Sequence, residues 1–194
     1  MHREQTDTEL VVAAKENSAA FAVLFKKYGR KVYDYFFYRT NRNPDLADEL
    51  AQETFYRALT HLSSYTSRGY SYLTYLLTIA RNMWTNHSRR APILPIEFAE
   101  LVPDETHIDA ERRSEFGNLW KAVSDLTPDE REIVLMRYRL GLSFQEIAKV
   151  TGRSLNAVKL VLSRARQHLR ANPRLRSDRA PVATKRKLLR TKKN

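Results

Sequence analysis

The chain has 194 residues, 42% of them hydrophobic and 29% charged, and its net charge at pH 7 is +12. The absence of cysteine excludes disulfides and cysteine nucleophiles, and it fits a cytoplasmic location. No apolar run approaches the roughly 18 residues of a membrane span, so we expect no membrane insertion. The positive charge favours an anionic partner, most often a nucleic acid.

Helical periodicity and few glycines predict an all-α chain made of two small helical domains joined by a flexible linker. The first predicted domain spans residues 1–90. It opens with a short helix over Thr8–Lys15, followed by a helix capped by Ser18 whose apolar stripe runs to Phe36. Pro44 suits the first turn of a third helix, which ends near Leu62.

The third predicted helix turns an acidic face away from its apolar stripe. Such a face on a basic protein is suited to docking a basic protein surface, although a merely solvated face is the alternative. The carboxylates of one helix, Asp45 among them, do not complete a metal site without ligands from a second helix, so we expect no metal. The candidate docking residues are Asp48, Glu49, Gln52, Glu53 and Tyr56.

A polar segment with several tyrosines, residues 63–71, separates the third helix from the fourth. Aromatic rings interleaved with a cation suit unstacked bases, and the helix that follows carries basic and amide side chains. A plain four-helix core explains the apolar residues of this helix equally well, but not the aromatic loop. The candidate single-strand contacts are Tyr65, Arg68, Tyr70, Tyr72, Arg81, Asn82, Arg89 and Arg90.

Residues 91–114 are interrupted by prolines and are predicted to form a linker, with a second domain over 115–171. Thr127 and Glu130 predict a capped helix start, and Ser143 with Glu146 predicts another. Gly152 then suits a left-handed turn before the next helix. Capped helix, glycine turn and second helix follow one another at the spacing of a helix-turn-helix.

The second helix of this unit would read duplex DNA. Polar side chains on its outer face can reach base edges, and the flanking cations can neutralise phosphates. An ordinary amphipathic helix with a solvated basic face is the alternative. The candidate duplex contacts are Arg153, Ser154, Asn156, Lys159, Leu160, Ser163, Arg164 and Gln167.

The last segment, residues 172–194, is strongly basic. From position 173 it holds nine basic residues and one acidic residue, so it carries +8 of the net charge. We expect a mostly disordered tail that adds non-specific DNA affinity, with a regulatory extension as the alternative. No nucleotide-binding or hydrolase motif and no catalytic constellation is present, so we expect no enzyme activity and no cofactor.

Four segments, in order, resemble a bacterial RNA polymerase sigma factor of the extracytoplasmic-function type, within the sigma-70 family. They cover residues 6–28, 45–55 (DLADELAQETF), 76–82 (LLTIARN) and 126–170. The resemblance implies a transcription initiation factor that binds core RNA polymerase and promoter DNA. It also implies that the acidic face docks on the polymerase clamp, the tyrosine loop and its helix capture the minus-ten element, and the reader helix binds the minus-thirty-five element.

Two departures from the family pattern concern packing and recognition. Tyr75 stands where the family usually has tryptophan, and Leu160 and Val161 replace a usual serine and arginine. Leu160 could meet a thymine methyl or a protein partner. Two alternative functions are a helix-turn-helix regulator that does not bind core polymerase, and a sigma-like adaptor that sequesters a partner. An anti-sigma protein is a candidate partner, but no residue identifies one.

Overall fold

The computed structural model describes residues 6–40, 42–67, 69–90 and 118–176. The predicted linker and nearly all of the basic tail lie outside these residues, as does Arg68. Within them the chain consists of α-helices and one π-helical turn, without strands, which confirms the all-α prediction. None of these helices is long and apolar enough to cross a membrane.

Four helices precede the undescribed segment: α1 (Asp7–Glu16), α2 (Ser18–Phe37), α3 (Pro44–Thr60) and α4 (Tyr72–Arg90). Their starts follow local capping. Thr6 and Glu9 form a capping box for α1, and the Asn43 side chain accepts the Leu46 N–H at 3.0 Å at the start of α3. The predicted cap of α2 was wrong by one residue, because Asn17 rather than Ser18 accepts the Ala19 N–H.

After the gap, residues 118–124 are helical and are called α5. The remaining helices are α6 (Pro128–Val134), α7 (Phe144–Thr151), α8 (Leu155–Ala171) and the short α9 (Pro173–Arg176). A π-helical turn over Leu135–Arg139 extends α6, where the sequence predicted a uniform α-helix. The capping box at α6 is present, with Thr127 Oγ1 accepting the Glu130 N–H and the Glu130 carboxylate accepting the Thr127 N–H.

Contacts divide the described residues into two compact units. The first contains those of residues 1–98 and 133–160, and the second those of residues 99–132 and 161–194. The first unit therefore includes α1 to α4 together with α7. Its core consists of apolar side chains at helical spacing, and each large one, such as a leucine or phenylalanine, stabilises the fold by about 1.5–3 kcal/mol on burial. Its most buried members include Leu24, Val32, Tyr35, Phe36, Ala47, Ala58, Leu76, Leu77, Ala80 and Ile147.

In the second unit, side chains fasten the helix ends to one another. Arg131 donates to the carbonyls of Ser124 at 2.7 Å and Leu126 at 3.0 Å. His168 Nδ1 lies 3.0 Å from the buried carboxylate of Glu130. The start of α6 is thus bonded both to the end of α5 and to α8. Arg174 also pairs with Asp125.

Candidate functional site

The acidic face of α3 is present as predicted from the sequence. Its inner side is buried, and Asp48, Glu49 and Gln52 are exposed on the other side. Tyr56 is 66% exposed, which is unusual for an aromatic ring and leaves a large contact surface for a partner. Glu53 is half-buried. The structure therefore brings all five predicted docking residues to one surface.

Two of these carboxylates are engaged by neighbours on the same helix. Arg57 Nε lies 2.6 Å from Glu53 Oε1, and Gln52 Nε2 donates to Asp48 Oδ2 at 2.6 Å. Exposed pairs of this kind contribute little to stability, at most about 1 kcal/mol. Their effect is to favour particular side-chain positions on the exposed face of α3.

A groove runs between this face and α4. The wall formed by α4 consists of Met83, Asn86 and His87, which the sequence analysis did not assign to docking. Only the pairing of α3 with α4 brings these residues beside Glu49 and Tyr56, and the helical periodicity of either helix gives no information on that pairing. The candidate docking surface is therefore a two-helix groove rather than one helix face.

The tyrosine loop contains one exposed ring and two rings that pack inward. Tyr70 is 37% exposed. Tyr65 is half-buried, with its ring centroid 5.3 Å from that of Tyr72 and 4.6 Å from that of Tyr75. Within the described part of the loop, Tyr70 is thus the aromatic residue best placed to stack on an unpaired base.

The prediction that Tyr72 contacts DNA does not fit its position. Its side chain is 0% exposed, and its hydroxyl has no hydrogen-bond partner. Burial raises the pKa of Tyr72 far above its ordinary value. Tyr72 is a core residue at the start of α4 because its ring fills the space between Tyr28, Tyr65 and Tyr75. Tyr72 was expected to contact DNA because it directly follows the polar segment 63–71 in the sequence.

Three of the predicted contacts on α4 have described side chains that reach its surface. Asn82 and Arg89 are exposed and Arg81 is half-buried. Arg90 ends the helix, but its side chain lies outside the described residues, as does the whole of Arg68. Asn82 and Arg89 lie on the side of α4 opposite to its buried residues Leu73, Leu77 and Ala80.

The start of α4 is also tied to α7. Glu146 uses one oxygen for the capping box of α7, accepting from Ser143 N at 2.9 Å. Its other oxygen accepts from Ser71 Oγ at 2.5 Å and from Thr74 Oγ1 at 3.0 Å. Burial opposes ionisation of Glu146, but these three hydrogen bonds and a fourth, from Ser143 Oγ at 2.8 Å, hold its pKa below the ordinary value. The sequence predicted only the capping function of this residue.

A buried carboxylate links α2 to the π-helical turn. Asp34 is buried in the middle of an apolar stripe and accepts from Arg30 Nε and Arg139 Nε, both at 2.9 Å. A lone acid within an apolar stripe is a signal that a paired cation is near, because unpaired buried charges are costly. The sequence holds no local signal for this pair, because Asp34 and Arg139 lie 105 positions apart.

The helix-turn-helix has the predicted geometry. Ser143 and Glu146 cap α7, and Gly152 ends it with φ +67°. Ser154 Oγ then accepts the Ala157 N–H at 3.2 Å at the start of α8. On α8, Val158 and the residues at helical spacing from it are buried.

The outer face of α8 presents the predicted duplex contacts. Leu160 is 52% exposed at the centre of this face, although it is a large apolar residue. Arg153, in the turn, is half-buried and lines a shallow groove together with Tyr70 and Gly152. The exposed candidates are Ser154, Asn156, Lys159, Leu160, Ser163, Arg164 and Gln167.

Among the described residues, no group of three or more His, Cys, Asp and Glu side chains is arranged to hold a metal ion. The described surface instead has three distinct features: an acidic groove between α3 and α4, a loop with an exposed aromatic ring, and a basic, polar outer face on α8. The described residues thus form an all-α protein whose exposed features suit binding to other macromolecules.

Comparison with known proteins places the chain in a family. Residues 24–92 match the family model "Sigma-70 region 2", and residues 116–169 match "Sigma-70, region 4". The extracytoplasmic-function sigma factor BldN of Streptomyces coelicolor is 32% identical over 167 residues, covering 81% of this chain and 62% of BldN. SigC of Mycobacterium tuberculosis is 32% identical over 164 residues, covering 82% of this chain and 86% of SigC.

Solved structures show the same fold. CnrH, in complex with the cytosolic domain of CnrY, has a TM-score of 0.62 at 24% identity, with 86% of this chain and 96% of that chain covered. Bartonella quintana RpoE, in complex with the anti-sigma factor NepR, has a TM-score of 0.65 at 22% identity, with 82% and 98% covered. The chain belongs to the sigma-70 family and is of the extracytoplasmic-function type. It is a transcription initiation factor that acts with core RNA polymerase and promoter DNA, and it is not an enzyme.

Proposed function

We propose that the three surfaces divide the work of promoter recognition as follows. The α3–α4 groove docks on core polymerase, Tyr70 and Asn82 capture unpaired bases of the minus-ten element, and α8 reads the minus-thirty-five element in the major groove. The observation that carries this proposal is the exposure of Tyr70 beside a fully buried Tyr72. A protein that only reads duplex DNA has no need for an exposed ring on a loop fastened to a basic helix.

The docking step relies on charge and shape. The groove combines exposed carboxylates with the exposed Tyr56 ring, an arrangement that fits a basic helical surface on the polymerase. Because DNA phosphates repel carboxylates, this acidic surface is disfavoured for DNA contact although the chain as a whole is basic, and it is left for a protein.

The domain limits follow the same division. We propose a polymerase- and minus-ten-binding domain over residues 1–90, a linker over 91–114, a minus-thirty-five-binding domain over 115–171 and a basic tail over 172–194. A cytoplasmic location follows from the proposed work on chromosomal DNA. By analogy with RpoE and CnrH, an anti-sigma protein is a further partner of this chain.

Charge reversal on the groove tests the docking assignment. Glu53→Arg replaces the carboxylate that pairs with Arg57 by a cation, so like charges meet at the polymerase interface. We expect co-purification with core polymerase to fall by about tenfold or more, since like-charge contacts at interfaces cost several kcal/mol. Glu16→Arg, an equal charge change at an exposed position at the end of α1, is the matched control.

The same experiment separates the alternative functions. A helix-turn-helix regulator would bind DNA equally well with and without core polymerase, and neither variant would alter that binding. An adaptor would bind its partner but support no initiation at a promoter. Normal binding of the Glu53→Arg chain to core polymerase, with the variant folded, would contradict the docking assignment.

A further inference from the structure

The loop that carries Tyr70 is fastened at both ends by one helix, α1. At its far end, Asp7 Oδ2 accepts the backbone N–H of Tyr72, the first residue of α4, at 2.8 Å. At its near end, Lys15 Nζ donates to the backbone carbonyl of Tyr65 at 2.9 Å. The two side chains are eight residues apart, about 12 Å along the helix. The helix thus spans the distance between the two ends of the loop.

Asp7 is itself held firmly in place. Its other oxygen, Oδ1, accepts from Tyr28 Oη at 2.5 Å and from Lys27 Nζ at 3.0 Å. Burial opposes ionisation of Asp7, but the hydrogen bonds from Tyr28, Tyr72 and Lys27 outweigh it and keep its pKa below the ordinary value. Asp7 is therefore a fixed anion at neutral pH, and both of its oxygens are in use.

Neither residue belongs to a surface already described. Asp7 and Lys15 precede the segment that matches the region 2 family model, which begins at residue 24. Both bond to backbone atoms of the loop rather than to its side chains. Backbone contacts set where a loop lies without altering the chemistry of the rings that it carries.

Fixing both ends of a loop lowers the entropy that it loses when it binds a ligand. The smaller entropy loss would apply to Tyr70, which lies between Tyr65 and Tyr72, the two residues whose backbones are bonded to α1. We propose that Asp7 and Lys15 of α1 act as positioning residues that hold the 65–72 loop in the conformation in which Tyr70 captures unpaired promoter bases. This inference deepens the proposed function and rests on it.

Asn and Met substitutions remove the two contacts selectively. Asp7→Asn keeps the size of the side chain but offers one acceptor oxygen in place of two, so either the Tyr72 N–H or the Tyr28–Lys27 pair loses its partner. Lys15→Met keeps the aliphatic stem and removes the donor, at an exposed position where folding is not at risk. Lys15→Arg keeps a donor and serves as the rescue variant.

The first measurement needs no polymerase. Hydrogen–deuterium exchange of the full-length chain reports how often the loop amides open. We expect exchange within residues 65–72, which include the Tyr72 amide bonded to Asp7, to rise by about threefold in Lys15→Met and about tenfold in Asp7→Asn. The first variant loses an exposed hydrogen bond and the second a part-buried one. Glu16→Gln on α1 and Lys26→Met on α2, both exposed, should leave this exchange unchanged.

The second measurement uses the holoenzyme, on duplexes that the wild-type holoenzyme selects from a random-sequence library. Permanganate reactivity of unpaired thymines reports opening, and filter binding at low temperature reports the closed complex. We expect opening to fall by about threefold in Lys15→Met and about tenfold in Asp7→Asn, with closed-complex formation unchanged and Lys15→Arg close to wild type. A purely structural role would lower both readings together.

The outcomes separate the two proposals. Faster loop exchange with normal opening, or unchanged exchange in both variants, would overturn the role of α1. An equal loss of core binding, closed complexes and opening would overturn it as well, since that pattern indicates general destabilisation. If the wild-type holoenzyme selects and opens no duplex, the proposed function fails, while the exchange measurement still decides whether α1 holds the loop.

Discussion

The tyrosine loop and the reader helix are both proposed to meet DNA, yet they are held in place in different ways. The geometry around α8 is set by residues close in sequence: Ser143 caps α7, Gly152 makes the turn and Ser154 caps α8. The loop is held by residues far away. Its bonds to Lys15, Asp7 and Glu146 join positions 50, 65 and 75 residues apart.

This difference teaches what each surface can do. A capped helix presents its side chains in fixed register, which suits the regular edges of duplex DNA. A loop fastened by tertiary contacts can hold one ring in an exposed position that no local element provides, which suits a base that has left its stack. Loss of the contact to Asp7 or to Lys15 should therefore affect the loop and leave the reader helix intact.

The largest expected effect concerns the two neighbouring tyrosines of the loop. Tyr72→Ala removes a fully buried ring and should lower the free energy of unfolding by about 3–5 kcal/mol. Tyr70→Ala should change it by less than about 0.5 kcal/mol while impairing promoter opening. Chemical denaturation measures the first effect and permanganate reactivity the second.

Tyr72→Phe should open promoters normally, because the hydroxyl it removes has no partner. Impaired opening in a stably folded Tyr72→Phe chain would mean that Tyr72 contacts promoter bases after all.

The acid response of the loop should depend on Asp7. Because its folded pKa lies below the ordinary value of 3.8, the stability it contributes is fully present above that pH. This stability is lost as the pH falls through the lower, folded pKa. At pH 7, Asp7→Asn should cost about 1–3 kcal/mol, the penalty for a polar group left without a partner.

Urea unfolding of the wild type and of Asp7→Asn between pH 7 and pH 2 tests this prediction. The wild-type curve should approach that of Asp7→Asn as the pH falls below about 4, the usual range for aspartate. Glu16→Gln serves as the control for loss of one exposed carboxylate. A difference between wild type and Asp7→Asn that stays constant down to pH 2 would mean that the ionised carboxylate is not what holds the loop.

Two glycines offer a matched test of the turn in the reader unit. Gly152 has φ +67°, a conformation that costs an L-residue about 1–2 kcal/mol, so Gly152→Ala should destabilise the chain by that amount. Gly29 lies within α2, where an added Cβ would meet only the Phe25 ring at 3.8 Å. Gly29→Ala should therefore stabilise by about 0.5–1 kcal/mol. Thermal unfolding measures both, and a loss of stability at both positions would contradict the assignment of a special turn at Gly152.

The smallest expected effect is on sequence preference. Leu160 is exposed at the centre of the reader face, whereas Leu162, two residues on, is buried. Leu160→Ala should leave stability unchanged and weaken binding to a preferred duplex by about 1 kcal/mol, roughly fivefold, if the side chain covers a thymine methyl. Leu162→Ala should instead cost about 2–5 kcal/mol of stability. Selection from a random duplex library measures the preference. If Leu160→Ala leaves the preference for thymine unchanged, Leu160 does not contact a thymine methyl and is instead available to a protein partner.

Local rules predicted much of the architecture. Both capping boxes of the second half, the proline start of α3 and the left-handed Gly152 all lie where the sequence placed them, because each depends on atoms within four residues. The acidic face of α3 followed from its periodicity for the same reason. The cap of α2 was misplaced by one residue because Asn17 and Ser18 are both good caps and neither periodicity nor spacing chooses between them.

By itself, the sequence determined the helical class, the turn of the reader unit and which side of each helix is polar, since these depend on backbone sterics and on helical spacing. Only the tertiary structure decided that Tyr72 is core while Tyr70 is exposed, that α4 supplies one wall of the acidic groove, and that Asp7, Lys15 and Glu146 reach the loop. The physical reason is distance along the chain: these contacts join helices whose pairing no local interaction specifies.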